Sequence, residues 1–515
     1  MGLFEAPERA SATTMARLVV ANPFLPERIA LEREILGPDF VDVHSDWNLR
    51  PGSGAIHPNL EGLERRVTAL VDHAHERLAD GHVPDDDERD VFDLLVLVLL
   101  YYRYRTRFDE VVAHDLENPG RCLPVAFYAE FERDGRRLLT IPGAALDAAA
   151  ELPHLFSMFY QFRRAFFEIF NNIVGVSAPI VALRAAVWQS IFGHDLRRYR
   201  RVLYERTNDV TTLITGPSGT GKELVARAIG LAHYIPFDPK ARNFTENYTG
   251  LFHALNISAL SPTLVESELF GHRRGSFTGA IADRRGWLEN CSRQGTVFLD
   301  EIGDLDRRIQ VKLLHVLQTR TFQPIGETES RRFPGKIVAA TNLDLREELD
   351  AGRCRPDFFY RLCSDMISTP TLHEQLRDTP GQLRILVTFL ATRLVGTDEA
   401  ESIADEVVAW IEEHLGLDYE WPGNVRELEQ CVLNIVMHSR YRPIVPSRAE
   451  PFQDLARLVA DGALTLEEIT RRYCTLVYAK TRNYERTAQL LDIDRRTVKS
   501  KIDLDLLERL DHGPR

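Results

Sequence analysis

A chain of 515 residues, at roughly 150 residues per domain, holds about three domains. Hydrophobic residues make up 44% and charged residues 27%, a globular balance that argues against wholesale disorder or a fibrous repeat. The charge sum, 63 basic against 76 acidic side chains, is −13, so nucleic-acid binding would have to come from a local basic patch. The longest apolar run, Leu94 to Tyr102, is nine residues, short of the ~20 that span a bilayer. The first stretch, MGLFEAPERA, lacks the basic and apolar regions of a signal peptide. Six scattered cysteines with no CxxC pair argue against a disulfide framework or a zinc site. The expectation is a cytoplasmic, multi-domain, ligand-using protein with no membrane partner.

Residues 1–172 read as one mostly helical unit. Leu60 to Leu78 and Glu88 to Ala113 predict helices, the second apolar nearly all round and therefore buried. Between Val125 and Ile141, FYAEF and RRLLTI flank Asp134-Gly135, which predicts a β-hairpin. Phe156, Phe159, Tyr160, Phe166, Phe167 and Phe170 form a helical stripe, read as core, with a dimerisation or signal-linking helix as the alternative. Over residues 173–370 the runs VTTLITG, FHALNIS, GTVFLDE, KIVAATN and SDMISTP alternate with helical stretches, which predicts an α/β domain with a parallel sheet. Residues 371–438 predict a helical segment, the bulk of a helical lid over 371–445; a proline-bearing connector follows (Pro443, Pro446, Pro451), and 462–508 predict a small helical tail.

Gly216-Pro217-Ser218-Gly219-Thr220-Gly221-Lys222 ends a predicted strand and opens a helix from Glu223. Glycines let backbone N–H groups turn inward around phosphate oxygens, and the helix N-terminus and Lys222 add positive charge. A buried-strand run, Thr296 to Leu299, ends in Asp300-Glu301. That strand end would place Asp300 near Mg²⁺ and Glu301 where a water is aimed at the γ phosphate. The pair implies ATP and Mg²⁺ as ligands. Glu223 stands where a general P-loop has a Ser or Thr that binds the metal.

GPSGTGKELVARAIG, ESELFGH, GSFTGA, GTVFLDEIGDL, KLLHVLQ, AATN, RPDFFYRL and WPGNVRELE follow one another in the order seen in bacterial enhancer-binding proteins. The chain thus resembles the AAA+ ATPases that activate sigma-54 RNA polymerase, over roughly residues 174–438, and a Fis-type helix-turn-helix tail extends the likeness. Glu223 is the usual residue of that family after the P-loop lysine. The resemblance implies roles residue by residue. Asn256 is similar to the polar partner of the catalytic Glu301, and Thr341-Asn342 to the sensor of the γ phosphate. Arg355 and Arg361 resemble the arginine fingers given to a neighbouring subunit, and Arg426 the lid's sensor arginine. Taken singly, such arginines read as surface ion-pair residues; the ordered set gives them function. The resemblance further implies a homo-oligomer, a dimer assembling to a hexameric ring.

Gly275-Ser276-Phe277-Thr278-Gly279-Ala280 matches the family's sigma-54-contacting loop, with Ser276 where the family has Ala. Glycines at both ends would let the loop rise and fall with nucleotide state, presenting Phe277 and Thr278. A second departure lies after the fingers, where His373 and Gln375 replace two arginines, which bears on coupling between subunits. In the tail, Asn483 to Leu491 and Arg495 to Ile502 predict two short helices, Ala488 and Leu491 packing the first, Val498 and Ile502 the second. Lys480 to Lys501 holds seven basic and three acidic residues, a local +4 in an acidic chain. Arg495, Arg496, Lys499 and Lys501 would meet phosphates of double-stranded DNA upstream of a promoter, and Thr497, Ser500 or Arg496 base edges.

Three features of residues 1–172 invite stronger readings than they carry. His44, His57, His73, His75 and His82 are spaced too irregularly for a metal site. Tyr101 to Arg107 interleaves aromatics with arginines as nucleic-acid binders do, though a buried helix emerging into solvent explains it as well. The region is expected to be a regulatory domain that gates ring assembly or hydrolysis. The leading reading is a sigma-54-dependent activator that drives the closed polymerase complex to the open one. Its competitors are a DNA-binding AAA+ regulator that acts without sigma-54 and a motor on nucleic acid, which would carry basic pore residues in place of GSFTGA.

Overall fold

The structure is a computed structural model that describes residues 2–42, 58–139, 148–379, 381–443, 451–460, 462–504 and 506–507. It has two compact units, Met1–Met437 and His438–Arg515.

Six helices open the first unit: α1 (Ala6–Val20), α2 (Pro26–Leu36), α3 (Pro58–Ala79), α4 (Asp86–Glu117), α5 (Tyr128–Leu139) and α6 (Ala148–Asn172). The Asp85 carboxylate caps α4 by accepting from the Glu88 N–H, and acidic residues fill the first turn, where the helix dipole favours them. The run Leu94 to Leu100 is buried throughout, as its all-round apolarity predicts.

The hairpin expected around Asp134-Gly135 is absent; Tyr128–Leu139 is one turn-by-turn helix. Its buried residues, Tyr128, Phe131, Gly135, Leu138 and Leu139, recur at helical spacing. Gly135 serves a close helix approach and not a turn, since a Cβ there would lie 2.3 Å from the Leu152 side chain. Asp134 accepts hydrogen bonds from Arg103 and the Tyr104 hydroxyl. Tertiary partners thus override the local turn signal. Residues 140 and 141 lie outside the described residues.

The aromatic stripe of α6 is core. Phe156 is fully buried and its ring meets those of Phe108, Phe131, Phe237 and Phe244. One apolar cluster runs from α1 through α6 into Leu231, Ile235 and Leu251, so the helical layer and the α/β part share a core.

Two helices, α7 (Ala178–Phe192) and α8 (Leu196–Arg201), lead into the sheet. Its strands are β1 (Thr212–Thr215), β2 (Phe252–Asn256), β3 (Thr296–Asp300), β4 (Lys336–Thr341) and β5 (Asp365–Ser368), all parallel in the order β2-β3-β4-β1-β5. Alternation of side chains gives the inner strands β1, β3 and β4 two buried faces, whereas the edge strands β2 and β5 are partly exposed. Ile214, Phe298, Val338 and Ile367 pack with α7 and the helix α9 (Lys222–Gly230). Leu213, Val297, Leu299 and Ile337 pack on the other side, under the helix Arg307–Thr319. The helices Leu372–Asp378, Gln382–Val395, Thr397–His414 and Asn424–His438 follow, the predicted helical segment.

In the second unit, the helices Leu466–Thr481, Tyr484–Leu491 and Arg495–Lys501 close around a small core. Val498 is fully buried, whereas Ala488, Leu491 and Ile502 are half-buried. Thr487 is also fully buried, its hydroxyl bonded to the Asn483 carbonyl and the Thr481 hydroxyl.

Candidate functional site

The register of the sheet brings the motif residues to one edge. Thr215 pairs with Thr341 and Ser368, and Asn256 with Asp300, so the carboxyl ends of all five strands meet there. Ligands of open parallel sheets bind at that edge because loops and helix N-termini converge on it.

Gly216 to Lys222 link β1 to α9. Gly219 has φ +79° and approaches the Gly423 carbonyl so closely that a Cβ would lie 2.2 Å from that oxygen. Glycine is therefore required there twice over, by backbone sign and by space. Lys222 is buried and its ammonium donates to the Gly216 and Pro217 carbonyls at 2.9 and 3.1 Å. Burial lowers its pKa below the ordinary lysine value, while Glu301 and Asp300 pull in the opposite direction. A cation held this way, beside a helix N-terminus, is suited to phosphate oxygens.

Asp300 accepts from the Glu301 N–H through one oxygen and from the Asn256 amide at 3.3 Å through the other. Asn256 thus bonds to Asp300 in this structure, not to Glu301. Glu301 itself has φ +55°, an uncommon conformation for a non-glycine residue, and its carboxylate accepts from the Asn342 N–H at 3.4 Å. The turn aims a half-buried carboxylate at the sheet edge beside Thr341, which is fully buried. The oxygen donors present, two adjacent carboxylates, are of the kind that a hard divalent cation takes.

Lid residues reach the same loop. Arg426 donates to the Ser218 hydroxyl at 3.3 Å, the Asn424 amide to the Ser218 carbonyl at 3.0 Å, and the Val425 N–H to the Gly219 carbonyl at 3.0 Å. Asn424 was not singled out from the sequence. Its signal is an Asn at the very start of the helix Asn424–His438, where φ is +52°, a backbone that Asn adopts more readily than most residues. Thr369, also missed, joins β5 to the loop through a 2.7 Å hydroxyl contact with Thr220. Glu223 is exposed at the start of α9.

Arg355 and Arg361 sit at the two ends of the helix Pro356–Leu362. Arg355 makes a two-pronged pair with Asp357, and Arg361 donates to the Leu317 carbonyl at 3.0 and 3.1 Å. The structure thus places both guanidinium groups away from their own chain's P-loop contacts. Gln375, one of the two departures, is buried, donating to the Pro370 carbonyl and accepting from Gln382, whose own carbonyl accepts from the Val176 N–H. His373 is half-buried.

The loop Gly275 to Ala280 rises from a pinned base. His272 and Arg284 exchange two 2.9 Å backbone bonds, and Arg273 binds Asp283 and Glu327. Gly275 and Gly279 have φ of +80° and +103°, so both predicted pivots occupy backbone that favours glycine. The Phe277 ring leans on His272 at 5.0 Å, Thr278 is exposed, and the Ser276 hydroxyl is buried with no partner among the described residues. Ile281, 84% exposed beside the tip, adds an apolar surface that the motif alone did not show.

In the second unit, Asp494 caps the helix Arg495–Lys501, and Arg496, Thr497, Lys499 and Ser500 are exposed. Arg495 pairs with Glu485 at 3.1 Å and Lys501 with Glu467 at 3.2 Å, exposed contacts worth little that phosphates can displace.

In residues 1–172, several of the side chains singled out from the sequence meet protein partners, though the buried His75 Nε2 has none among the described residues. His73 pairs with Glu8, His82 meets the Arg77 carbonyl, and His44 and His57 lie outside the described residues. Among the described residues no group of metal-binding side chains gathers, and no helix is long and apolar enough to cross a membrane. Arg103, Arg105 and Arg107 pair with Asp134, Glu64 and Glu130 across helices.

The Sigma-54 interaction domain matches residues 194–368. The anaerobic nitric oxide reductase transcription regulator NorR of Citrobacter koseri is 32% identical over 424 residues, 80% of this chain and 73% of that protein. The sigma54-dependent transcriptional activator SfnR of Pseudomonas putida is 42% identical over 236 residues, 45% of this chain and 57% of that protein. The Nif-specific regulatory protein of Azotobacter vinelandii is 42% identical over 224 residues, 43% of this chain and 38% of that protein.

Proposed function

This chain belongs to the sigma-54-dependent AAA+ transcriptional activators, and from that premise we propose how its residues divide the work of turning ATP hydrolysis into promoter opening. The chain binds DNA upstream of the promoter through residues 462–508. It assembles in the cytoplasm from dimers into a hexameric ring, and it uses Phe277 and Thr278 to drive the closed sigma-54 polymerase complex open. The observation that carries this division is the meeting of Lys222, Asp300-Glu301, Thr341-Asn342 and Arg426 around one sheet edge.

Loop residues 216–222 hold the phosphates of ATP by backbone N–H groups, and the Lys222 ammonium exchanges its two carbonyl contacts for phosphate oxygens. Asp300 would hold Mg²⁺, which supplies charge neutralisation at the β and γ phosphates. Glu301 orients the attacking water and takes its proton, while Asn342 senses whether the γ phosphate is present. Arg355 and Arg361 act on the neighbouring subunit's γ phosphate, where a guanidinium stabilises the charge that develops in the transition state. The regulatory region is residues 1–172, the ATPase 173–370 and the lid 371–445.

Two substitutions test the reading. Glu301→Gln keeps the shape of the site but removes the base, so hydrolysis falls by ~10²–10⁴-fold with nucleotide still bound. Thr278→Ala hydrolyses ATP at the parent rate and fails to support open-complex formation. If Thr278→Ala opens promoters normally, the contact loop is misassigned.

A further inference from the structure

A buried hydroxyl lies against the P-loop, supplied by the end of an edge strand. Thr369 directly follows β5 and is 2% exposed. Its N–H donates to the Thr215 carbonyl at 2.9 Å, which continues the pairing of β5 with β1. A Cβ on Gly216 would lie 2.2 Å from the Thr369 Oγ1, so the glycine is what admits that oxygen. Valine has the same shape without a polar group. The hydroxyl therefore has to be accounted for by its bonds.

Two oxygens lie within its reach, the Thr220 Oγ1 at 2.7 Å and the Thr215 carbonyl at 3.2 Å. Thr220, also buried, lies 2.9 Å from the Pro217 carbonyl. Each hydroxyl has one proton to give. In one order Thr369 donates to Thr220 and Thr220 to Pro217, over 2.7 and 2.9 Å. In the reverse order Thr220 donates to Thr369 and Thr369 to Thr215, over 2.7 and 3.2 Å. The first order makes the shorter pair of bonds, and it ends on a carbonyl of the loop itself.

That carbonyl is shared. Lys222 also donates to it, at 3.1 Å, and gives it up when the ammonium moves to phosphate oxygens. Thr220 is then the side chain that still holds it. A peptide unit is planar, so the direction of the Pro217 carbonyl fixes that of the Ser218 N–H. Backbone N–H groups are what such a loop offers to phosphate. A loop already held in its binding shape is spared the cost of ordering when the ligand arrives. Thr369 also stands at the root of the lid. Two residues on, Thr371 caps the helix Leu372–Asp378, and the Leu372 N–H donates to Asn424, which itself donates to the Ser218 carbonyl.

We propose that Thr369 is a positioning residue of the ATP site, whose hydroxyl, through Thr220, holds the Pro217–Ser218 peptide in its phosphate-receiving orientation after Lys222 has left it. This rests on the ATPase reading above and deepens it.

The test uses the full chain, with ATP turnover at varied ATP and titration with a fluorescent ATP analogue in the presence of Mg²⁺. Thr369→Val is expected to weaken nucleotide binding and raise KM by about two- to tenfold, the worth of one hydrogen bond. Its kcat stays within about twofold, because the peptide is held alike in the ground and transition states. Thr369→Ser keeps the hydroxyl and restores binding to within about twofold of the parent. Thr220→Val breaks the same relay one step later, so the double variant is expected to bind no more weakly than the weaker single one. Thr369→Ala serves the same comparison if the valine variant does not fold. The relay is overturned if Thr369→Val binds as the parent does, or if Thr369→Ser is weakened equally. It is also overturned if the two single effects multiply in the double variant, or if kcat falls at unchanged KM. A parent chain that neither binds nor hydrolyses ATP overturns the ATPase reading, and the relay falls with it.

Discussion

The edge of the parallel sheet and the helical layer of α1 to α6 both hold buried charge, but they hold it differently. At the sheet edge, Lys222 is matched by the loop's own carbonyls five and six residues away, and Asp300 by its neighbour Glu301 and the adjacent strand's Asn256. In the helical layer the partners are far apart in the chain. Arg163 meets Asp109, and Arg164 meets carbonyls of Leu231 and His233. The first arrangement leaves charge that a nucleotide can complete; the second closes much of its charge within the fold. One region stores function and the other stores stability. The layer departs from that rule at a few atoms, among them Asp93 Oδ1, Arg89 Nε and Arg164 Nε, which are buried with no hydrogen-bond partner among the described residues.

The sharpest way to break the contrast is Arg361→Ala. Its guanidinium is exposed and bonds only one carbonyl, so the change costs at most about 1 kcal/mol of stability. ATP turnover of the assembled protein is expected to fall by ~10³-fold or more; an unchanged rate removes the arginine from the site. The opposite pattern is expected for Arg164→Met, which leaves two buried carbonyls without donors. Denaturant titration should show a loss of about 2–4 kcal/mol, and a neutral result would mean the layer does not depend on closed charge.

Glu168 gives a pH readout. It lies on α6, accepts from Asn172, and burial pushes its pKa up to about 7 from about 4.5. A carboxyl that is easier to protonate when folded favours folding below its unfolded value, and that contribution is lost as pH rises from about 4.5 through about 7. Denaturation midpoints at the two ends of that window should differ by roughly 1–3 kcal/mol in the parent relative to Glu168→Gln. Equal pH dependence in both proteins would place the titration elsewhere. The smallest effect belongs to the tail, where Arg496→Ala should lower the slope of log K against log salt for DNA binding by about 1. A change in folding stability instead would count against a phosphate contact.

Legibility followed the distance between partners. The strands, the P-loop and Asp300-Glu301 were readable because a short run of residues sets both the element and the chemistry. The tail helices were readable within a residue or two, and the structure adds Asn483 and Asp494 as their caps. The hairpin at Asp134-Gly135 failed because Arg103, Tyr104 and Leu152 decide that segment, and none is near it in sequence. Asn424 and Thr369 were missed for the same reason, since each touches the P-loop across a long loop closure.

From length, charge and motif order, the sequence by itself determined an acidic, multi-domain AAA+ chain with a locally basic tail. The −13 of the whole divides into +4 over Lys480 to Lys501 and −17 elsewhere. Only the tertiary structure decided that residues 1–172 share a core with the ATPase, that α6 carries hydrogen bonds to the end of the P-loop helix, and that a cavity lies on its other face. The physical reason is that a phosphate loop is built from consecutive residues, whereas a cavity is what remains between helices after packing and leaves no mark on any one of them.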